Sequence, residues 1–573
     1  MKYGISILAL GICLTLGACG QKTDAPQELE AITQDLCIEN ANSYNDNGKL
    51  VLTDIAVDQG VIKNYIADSE GDLCHEAGVR YTQIVDLKGA YLYPGFVDSH
   101  AHLLGIGLRE MTLNLEDLPS IKTLVQTLAD EVAKTPKGET IYGRGWIETH
   151  WPEGRFPTRQ DLDAVSPDNP VILGRADGHA MVINSAALKA AGITTDTVPP
   201  FGGDILHDED GIPTGMLIDN AMPLATGLLA DLTLERKRAA YIKGSEVYAA
   251  LGWTGIQSMS VDAADVELIE QLSDEGLLKI RVYNSVDMRG AEALLEGIAN
   301  DGPRSNENGR VVTRAVKLYA DGALGSRGAA LLAPYSDDPK NMGLMVVTHE
   351  TIMPILVDAL TNGIQINTHA IGDRANRLIL DWYEEAFKAV PKAERKVKQP
   401  RWRIEHAQII DMSDIERFAK LGVIASMQPS HAIGDLHFAV DRLGVERLKG
   451  GYAWNTLVKS GVKIAGGSDA PVERGDPRIE YYGAVARKDM NGFSGEGWYP
   501  EEKVNRSEAL KMFTEWPAYA AFEEDSAGKI APNMRADFTI FNRDIMTIPE
   551  PEILTVDTVM TIVDGEIVYQ SKD

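Results

Sequence analysis

An α/β fold centred on a (β/α)8 barrel is what this sequence predicts, and three observations predict it. Between about residues 93 and 500, eight short apolar runs alternate with helical segments. Most of those runs end in a histidine, lysine or aspartate followed by small or turn residues, the pattern of strands that deliver polar side chains to one barrel mouth. Stretches rich in β-formers at both ends of the chain flank this middle, which predicts one composite β-sandwich assembled from the two termini. At 573 residues the chain also exceeds what a single compact core accommodates, so appended pieces are expected.

The first barrel run is Leu92-Tyr-Pro-Gly-Phe-Val-Asp-Ser-His-Ala-His102. His100 and His102 are two apart, so a strand puts both imidazoles on one face. Such a pair is either a metal-binding half-site or two unrelated surface residues. Pro94 and Gly95 fit an entry turn, and Gly105 and Gly107 fit a loop open to ligands. Seven further runs follow, at 255–259, 279–283, 315–319, 364–369, 402–406, 423–427 and 462–469. The gap from about 105 to 250 is too long for one connection and predicts a subdomain inserted after the first strand. It would carry Gly143-Arg-Gly-Trp146, Arg175-Ala-Asp-Gly-His179 and Asn184-Ser-Ala-Ala-Leu188 over the barrel mouth. Residues 32–92 supply the N-terminal part of the sandwich. Residues 501–573 supply the last barrel helix and the C-terminal part, with Asp564-Gly565 as a tight turn.

Against 55 basic residues stand 84 acidic ones, a net charge of −29 that argues against nucleic acid or an anionic membrane surface as partner. Residues 1–19 have a basic start, an apolar run too short to span a bilayer, and a small-residue end, the pattern of a secretory leader. Leu16-Gly17-Ala18-Cys19 resembles a bacterial lipobox, which makes Cys19 the lipidated residue and residues 20–31 a tether; the alternative is an ordinary leader with a chance cysteine. The expected location is therefore outside the cytoplasm, lipid-anchored to the membrane of a bacterial envelope on its periplasmic or outer-membrane face. Cys37 and Cys74 remain, either as a disulfide contributing roughly 3–4 kcal/mol or as two buried thiols. Oligomeric state stays open, a homo-oligomer included.

At the run ends stand His100 and His102 (strand 1), Lys317 (strand 4), His369 (strand 5), His406 (strand 6) and Asp469 (strand 8). Four imidazoles and a carboxylate converging on one mouth suit a divalent metal, most often zinc. Lys317 is either a lysine reaching to water or a buried amine whose lowered pKa lets it take up carbon dioxide as a carbamate, a two-oxygen ligand that can bridge two ions.

Pro94-Gly-Phe-Val-Asp-Ser-His-Ala-His102, Lys317-Leu-Tyr-Ala-Asp-Gly-Ala-Leu-Gly-Ser-Arg327, His369-Ala-Ile-Gly-Asp-Arg-Ala375, Ile404-Glu-His406 and Gly467-Ser-Asp-Ala-Pro-Val472 resemble the amidohydrolase superfamily. More narrowly they resemble its amidohydrolase-3 branch, which includes N-substituted formamide deformylases, and the likeness runs from about residue 50 to the C-terminus. The resemblance implies a distorted (β/α)8 TIM barrel with a composite β-sandwich, metal-dependent hydrolysis of a small-molecule substrate, and His100, His102, Lys317, His369, His406 and Asp469 as ligands. In that scheme two zinc ions are bridged by carbamylated Lys317: His100, His102 and Asp469 hold one ion, His369 and His406 the other. Asp469 is the catalytic base acting on water. With a single metal, Lys317 is a charged neighbour instead.

The leading expectation is cleavage of a C–N bond in an amide, N-formyl or N-acyl compound. A deaminase or cyclic-amide hydrolase on the same site is the alternative, and a non-catalytic metal- or ligand-binding lipoprotein is the reading of another class. Trp146, Asp177 and His179 either line the mouth as substrate-binding residues or stabilise the insertion, and His431, just past strand 7, faces the site as a further substrate-binding residue. Asp373 and Arg374 are read as a pair that orients His369. His75, His150, His207, His349 and His437 are read as surface or packing residues. Near the C-terminus Asn533 stands where the family commonly has glycine, and asparagine tolerates left-handed backbone.

Overall fold

The computed structural model describes residues 32–572 apart from 46, 68–72, 117, 150, 230–231 and 290–291. The expected leader, Cys19, the tether and His150 lie outside the described residues.

Each of the eight runs forms a barrel strand: β1 Phe96–Ala101, β2 Trp253–Val261, β3 Arg281–Asp287, β4 Val311–Tyr319, β5 Gln365–Ala370, β6 Arg403–His406, β7 Ile424–Met427 and β8 Ile464–Gly466. Each pairs in parallel with its neighbour in sequence. Strands β5 to β8 are buried along their whole length. Helices cover the outside and side chains fill the inside, so apolar and polar residues alike are buried there. Between β8 and β1 the barrel closes through the residues just past β8. Asp469 N donates to His100 O (2.6 Å), His102 N to Ala470 O (2.8 Å), and Ser468 N and Oγ to Asp98 (2.9 and 2.6 Å). Gly467 permits this approach, because a Cβ there would lie 2.6 Å from His100 N.

The insertion is a unit of its own. Six strands pair in the spatial order Gly203–His207, Pro213–Asp219, Ala180–Ile183, Val171–Arg175, Ile141–Trp146, Leu113–Asn114. Helix Ile121–Val132 turns Leu124 and Leu128 into the core of this unit. Helix Leu234–Leu251 then returns to the barrel and packs on helix Leu103–Arg109. Gly105 and Gly107 lie in the latter helix and not in an open loop. The bare Cα of Gly107 abuts Ala240 O, which a Cβ would approach to 1.8 Å.

Both termini build the third unit. Strand Tyr91–Pro94 pairs antiparallel with Phe538–Phe541, joining the two halves. The composite sandwich takes the form of one hydrogen-bonded eight-stranded sheet. It curls until Ile62 N meets Met534 O (2.9 Å) and Asn533 N meets Ile62 O (2.8 Å), enclosing Leu36, Ile55, Leu92, Phe538 and Ile562. Asn533 has φ 70°, and Asp564 and Gly565 have φ 54° and 75° in the final hairpin turn.

Cys37, in strand Ile32–Tyr44, is disulfide-bonded to Cys74 across 37 positions. Closing such a loop restricts the unfolded chain by about 4 kcal/mol in the chain-entropy model. Replacing both cysteines by serine should therefore lower the free energy of opening of the terminal sheet by about 4 kcal/mol and leave that of the barrel nearly unmoved. Region-resolved hydrogen exchange measures this, and equal loss of protection in both units would contradict the local effect.

Candidate metal centre

All six residues expected at the strand ends come together at the C-terminal mouth of the barrel. His102 Nε2 and His100 Nε2 lie 3.0 and 3.4 Å from Asp469 Oδ1, and His406 Nδ1 lies 4.0 Å from Asp469 Oδ2. One ligand-type atom from each of His100, His406 and Asp469 falls within 4.8 Å of the others. The ring of His406 stands 4.6 Å from that of His100 and 4.5 Å from that of His369. Lys317 Nζ is buried 3.2 Å from His100 Nε2.

Other groups hold the rings in place from behind. His100 Nδ1 meets Glu405 Oε2 at 2.5 Å, His102 Nδ1 meets Met259 O at 3.1 Å, and His406 Nδ1 meets Gln428 Oε1 at 2.8 Å. Such contacts set tautomer and ring direction in metal sites. Glu405 is fully buried, with Arg403 Nε 2.7 Å from its Oε1. Burial opposes its charge, yet Arg403 and His100 hold its carboxyl down at about 2.

Adjacent strand residues normally face opposite sides. Glu405 and His406 nevertheless both serve the interior, where His406 at φ 73° and Ala407 at φ 43° break the extended register. The residue expected to orient His369 does not face it. Asp373 accepts from Leu332 N (2.8 Å), whereas Asp321 Oδ1 lies 3.5 Å from His369 Nε2. Asp321 also accepts from the backbone N–H groups of Ala330, Ile371 and Gly372, and burial pushes it up to about 7.

The electrostatics are those of a dry, crowded site. Burial brings the Lys317 amine down to about 8 against the pull of Glu405 and Asp469. Burial also drives His369 and His406 well below the usual imidazole range, keeping them neutral and ligand-competent. For Asp469 burial would raise the carboxyl, but the surrounding imidazoles of His100, His102 and His406 hold it well below its usual value. A divalent ion fits this set. Neutral imidazoles and a carboxylate are turned onto one point, and among the described residues His369 Nε2 is buried with no hydrogen-bond partner.

A cavity of about 390 Å³ opens over these residues, and the insertion forms one wall. Asp177, His179 and His431 line it. His179 Nδ1 meets Asp219 Oδ1 at 2.6 Å and its ring stands 5.0 Å from His369. Burial disfavours its charge, but Asp219 and Asp177 outweigh that and push it up to about 9. Asp177 also binds Arg175 Nη1 (2.5 Å), which Glu148 holds from the other side.

Trp146 is the exception. It is fully buried in the core of the insertion, its indole N–H donating to Leu173 O (2.8 Å), so it braces the wall and does not line it. His437, read as a surface residue, borders the cavity beside Asp489 (3.1 Å). Sequence reading also passed over Glu405, Gln408, Gln428, Asp219 and Asp321. Glu405 and Asp321 lie inside motifs already singled out, which was the signal available for them.

A family model described as "Amidohydrolase family" matches residues 83–569. YtcJ of Bacillus subtilis (strain 168) is 34% identical over 521 residues, 90% of this chain and 96% of that protein. The N-substituted formamide deformylase of Arthrobacter pascens is 28% identical over 504 residues, 85% of this chain and 90% of that protein. Among solved structures, an uncharacterized metal-dependent hydrolase from Pyrococcus horikoshii OT3 is 28% identical with a TM-score of 0.69, covering 90% of this chain and 99% of the other.

Replacing Glu405 by Gln keeps its shape and removes the charge behind His100. Affinity for divalent metal should fall about 10- to 100-fold, measured by competition with a chelator. Unchanged affinity would mean that His100 needs no carboxylate behind it.

Proposed function

The chain belongs to the amidohydrolase family, in its amidohydrolase-3 branch, and is a metal-dependent hydrolase; on that premise we propose that it hydrolyses the C–N bond of an amide, N-formyl or N-acyl compound. The observation that carries this reading is the convergence of His100, His406 and Asp469, with Lys317 Nζ 3.2 Å from His100 Nε2, beneath a cavity that His369, His406 and Asp469 help to line. Two zinc ions are the proposed occupants, with His100, His102 and Asp469 on one and His369 and His406 on the other. A divalent ion there supplies a Lewis acid that acidifies water and polarises a carbonyl.

The chain's own residues do the rest. Asp469 is the base. It takes the proton of the attacking water and returns it to the nitrogen as the C–N bond breaks, so the amine leaves neutral. The surrounding imidazoles keep it ionised. Lys317, lowered to about 8, has a neutral fraction near neutral pH; its nitrogen could add to carbon dioxide and lose a proton to give a carbamate, whose two oxygens would then help to hold the metal. Asp177 and His179 bound the substrate from the insertion. Ile147, Leu324, Ile371, Ile433 and Phe438 give the cavity an apolar wall suited to the substituent on the scissile nitrogen.

We also assign the protein to the cell envelope, lipid-anchored through Cys19. The leader pattern of residues 1–19 supports this, and the Cys37–Cys74 disulfide fits an oxidising compartment.

Elemental analysis of protein prepared without chelator should find about two divalent ions per chain. Hydrolysis of N-formyl and N-acyl amines should follow on screening; metal without turnover of any such amide would remove the C–N reading. Asp469→Asn should lower kcat by at least about 1,000-fold while retaining most metal, and unchanged turnover would take the base role from Asp469. Lys317→Ala should lower metal occupancy, with partial recovery on adding a short carboxylate such as propionate. Full occupancy in that variant would place Lys317 outside the ligand set.

A further inference from the structure

His431 is a buried imidazole that the mechanism above leaves unused. It sits in the first turn of helix Pro429–Asp435, directly after β7, and its side chain is 9% exposed. Its ring stacks on that of His406 at 5.8 Å and 26°. Among the described residues its Nε2 has no hydrogen-bond partner, and the residue lines the cavity beside His406 and Asp469.

Two independent contacts decide which nitrogen carries hydrogen. Behind the ring, the side-chain amide of Gln408 lies 2.8 Å from Nδ1, oriented so that its N–H donates and Nδ1 accepts. In front, Nε2 stands 3.7 Å from Asp469 Oδ2 and 3.8 Å from Glu473 Oε1. A lone pair facing the Asp469 carboxylate would be repelled, whereas an N–H is attracted; Glu473, whose carboxyl burial pushes up to about 8, adds no fixed charge there. Both contacts select the neutral Nε2–H tautomer. The ring therefore presents a fixed donor to the space beside the base.

The geometry points to His431 as a catalytic hydrogen-bond donor to the carbonyl oxygen of the substrate, and to Gln408 as the positioning residue that fixes its tautomer. This rests on the hydrolase reading above. As water oxygen bonds to the carbonyl carbon and Asp469 takes its proton, the C=O π pair moves onto oxygen. That oxyanion accepts from His431 Nε2–H. When the pair returns, C=O re-forms, the C–N bond breaks, and nitrogen leaves with the proton from Asp469. A donor already aimed at the developing charge stabilises this tetrahedral state more than the planar amide.

The test uses full-length, metal-loaded protein and methylphosphonate, a small tetrahedral anion that needs no pocket for a leaving group. Nitrogen-15 NMR of histidine-labelled protein, with His431→Leu to assign the signals, should show Nδ1 of His431 unprotonated and Nε2 protonated. Calorimetry should show methylphosphonate binding weakened about 10- to 100-fold in His431→Leu, as expected for losing a hydrogen bond to a charged group. In His431→Gln, which restores an N–H at similar reach, binding should recover to within about threefold of the wild-type protein. Gln408→Leu should give an intermediate loss.

Metal content must be the same in all forms; a drop in His431→Leu would make His431 a ligand and overturn the proposal. A protonated Nδ1, equal binding by the wild-type and leucine forms, or no binding by the wild-type protein would overturn it as well. N-Formylbenzylamine hydrolysis is assayed in parallel. If the donor discriminates as expected but no amide is cleaved, the C–N reading falls and the donor stands.

Discussion

The hydrogen bond from Asp469 N to His100 O, 2.6 Å long, is the constraint on which the rest of this structure depends. It joins residues 369 positions apart in sequence order to those opening the barrel, and with the Asp98–Ser468 contacts it closes β8 onto β1. The same closure carries the Asp469 carboxylate to the imidazoles of His100 and His102. Completing the fold and assembling the polar centre are thus one event. With the seam in place, His100, Lys317, His369, His406 and Asp469 are buried and expensive to leave unpaired.

That expense explains why so much of the barrel interior is polar. Six ionisable side chains at one point need partners beneath them, and Arg403, Glu405, Gln257, Ser99 and Ser426 supply a connected layer. Arg403 reaches Gln257 Oε1, Ser99 O and Ser426 Oγ as well as Glu405. Replacing one member by an apolar residue would strand the others in a low-dielectric core. The layer therefore fixes ring directions above it while stabilising little by itself.

The eight strands were legible because each is a short apolar run alternating with helical segments, several of them closing on a histidine, lysine or aspartate, a pattern that needs only local sequence. The proposed ligands were legible for the same reason. The supports behind them were not: Glu405 meets His100 across 305 positions and Asp219 meets His179 from a separate strand, and no local periodicity records such pairings. Glu405 was hidden further by its neighbour, since alternation assigns Glu405 and His406 to opposite faces. The inserted sheet left little trace because its central strands Val171–Arg175 and Ala180–Ile183 are buried throughout and show no alternation of apolar and polar residues. Trp146 stayed open between lining the mouth and bracing the insertion because a tryptophan beside glycines reads equally as a platform or a plug, and only packing decides. Asp373 was chosen over Asp321 on adjacency to His369, whereas the loop after β4 brings Asp321 back across the strand ends.

Among the non-glycine residues with left-handed backbone, four belong to the site or to its supports: Asp219, Ser260, His406 and Asp469 have φ of 44°, 55°, 73° and 62°. Each such residue costs on the order of 1–3 kcal/mol and persists where the surroundings over-determine it. Here the surroundings do. Asp469 is tied to His100 O, Asp219 N donates to His179 O (3.0 Å), and Ser260 Oγ bonds to Tyr319 Oη. An extended strand can point only every second residue into a barrel. By leaving the extended region at its ends, the chain delivers neighbouring residues to the same small volume, as Glu405 and His406 show. The density of functional groups at this mouth exceeds what strand geometry alone allows, and the strain is the means by which it is reached.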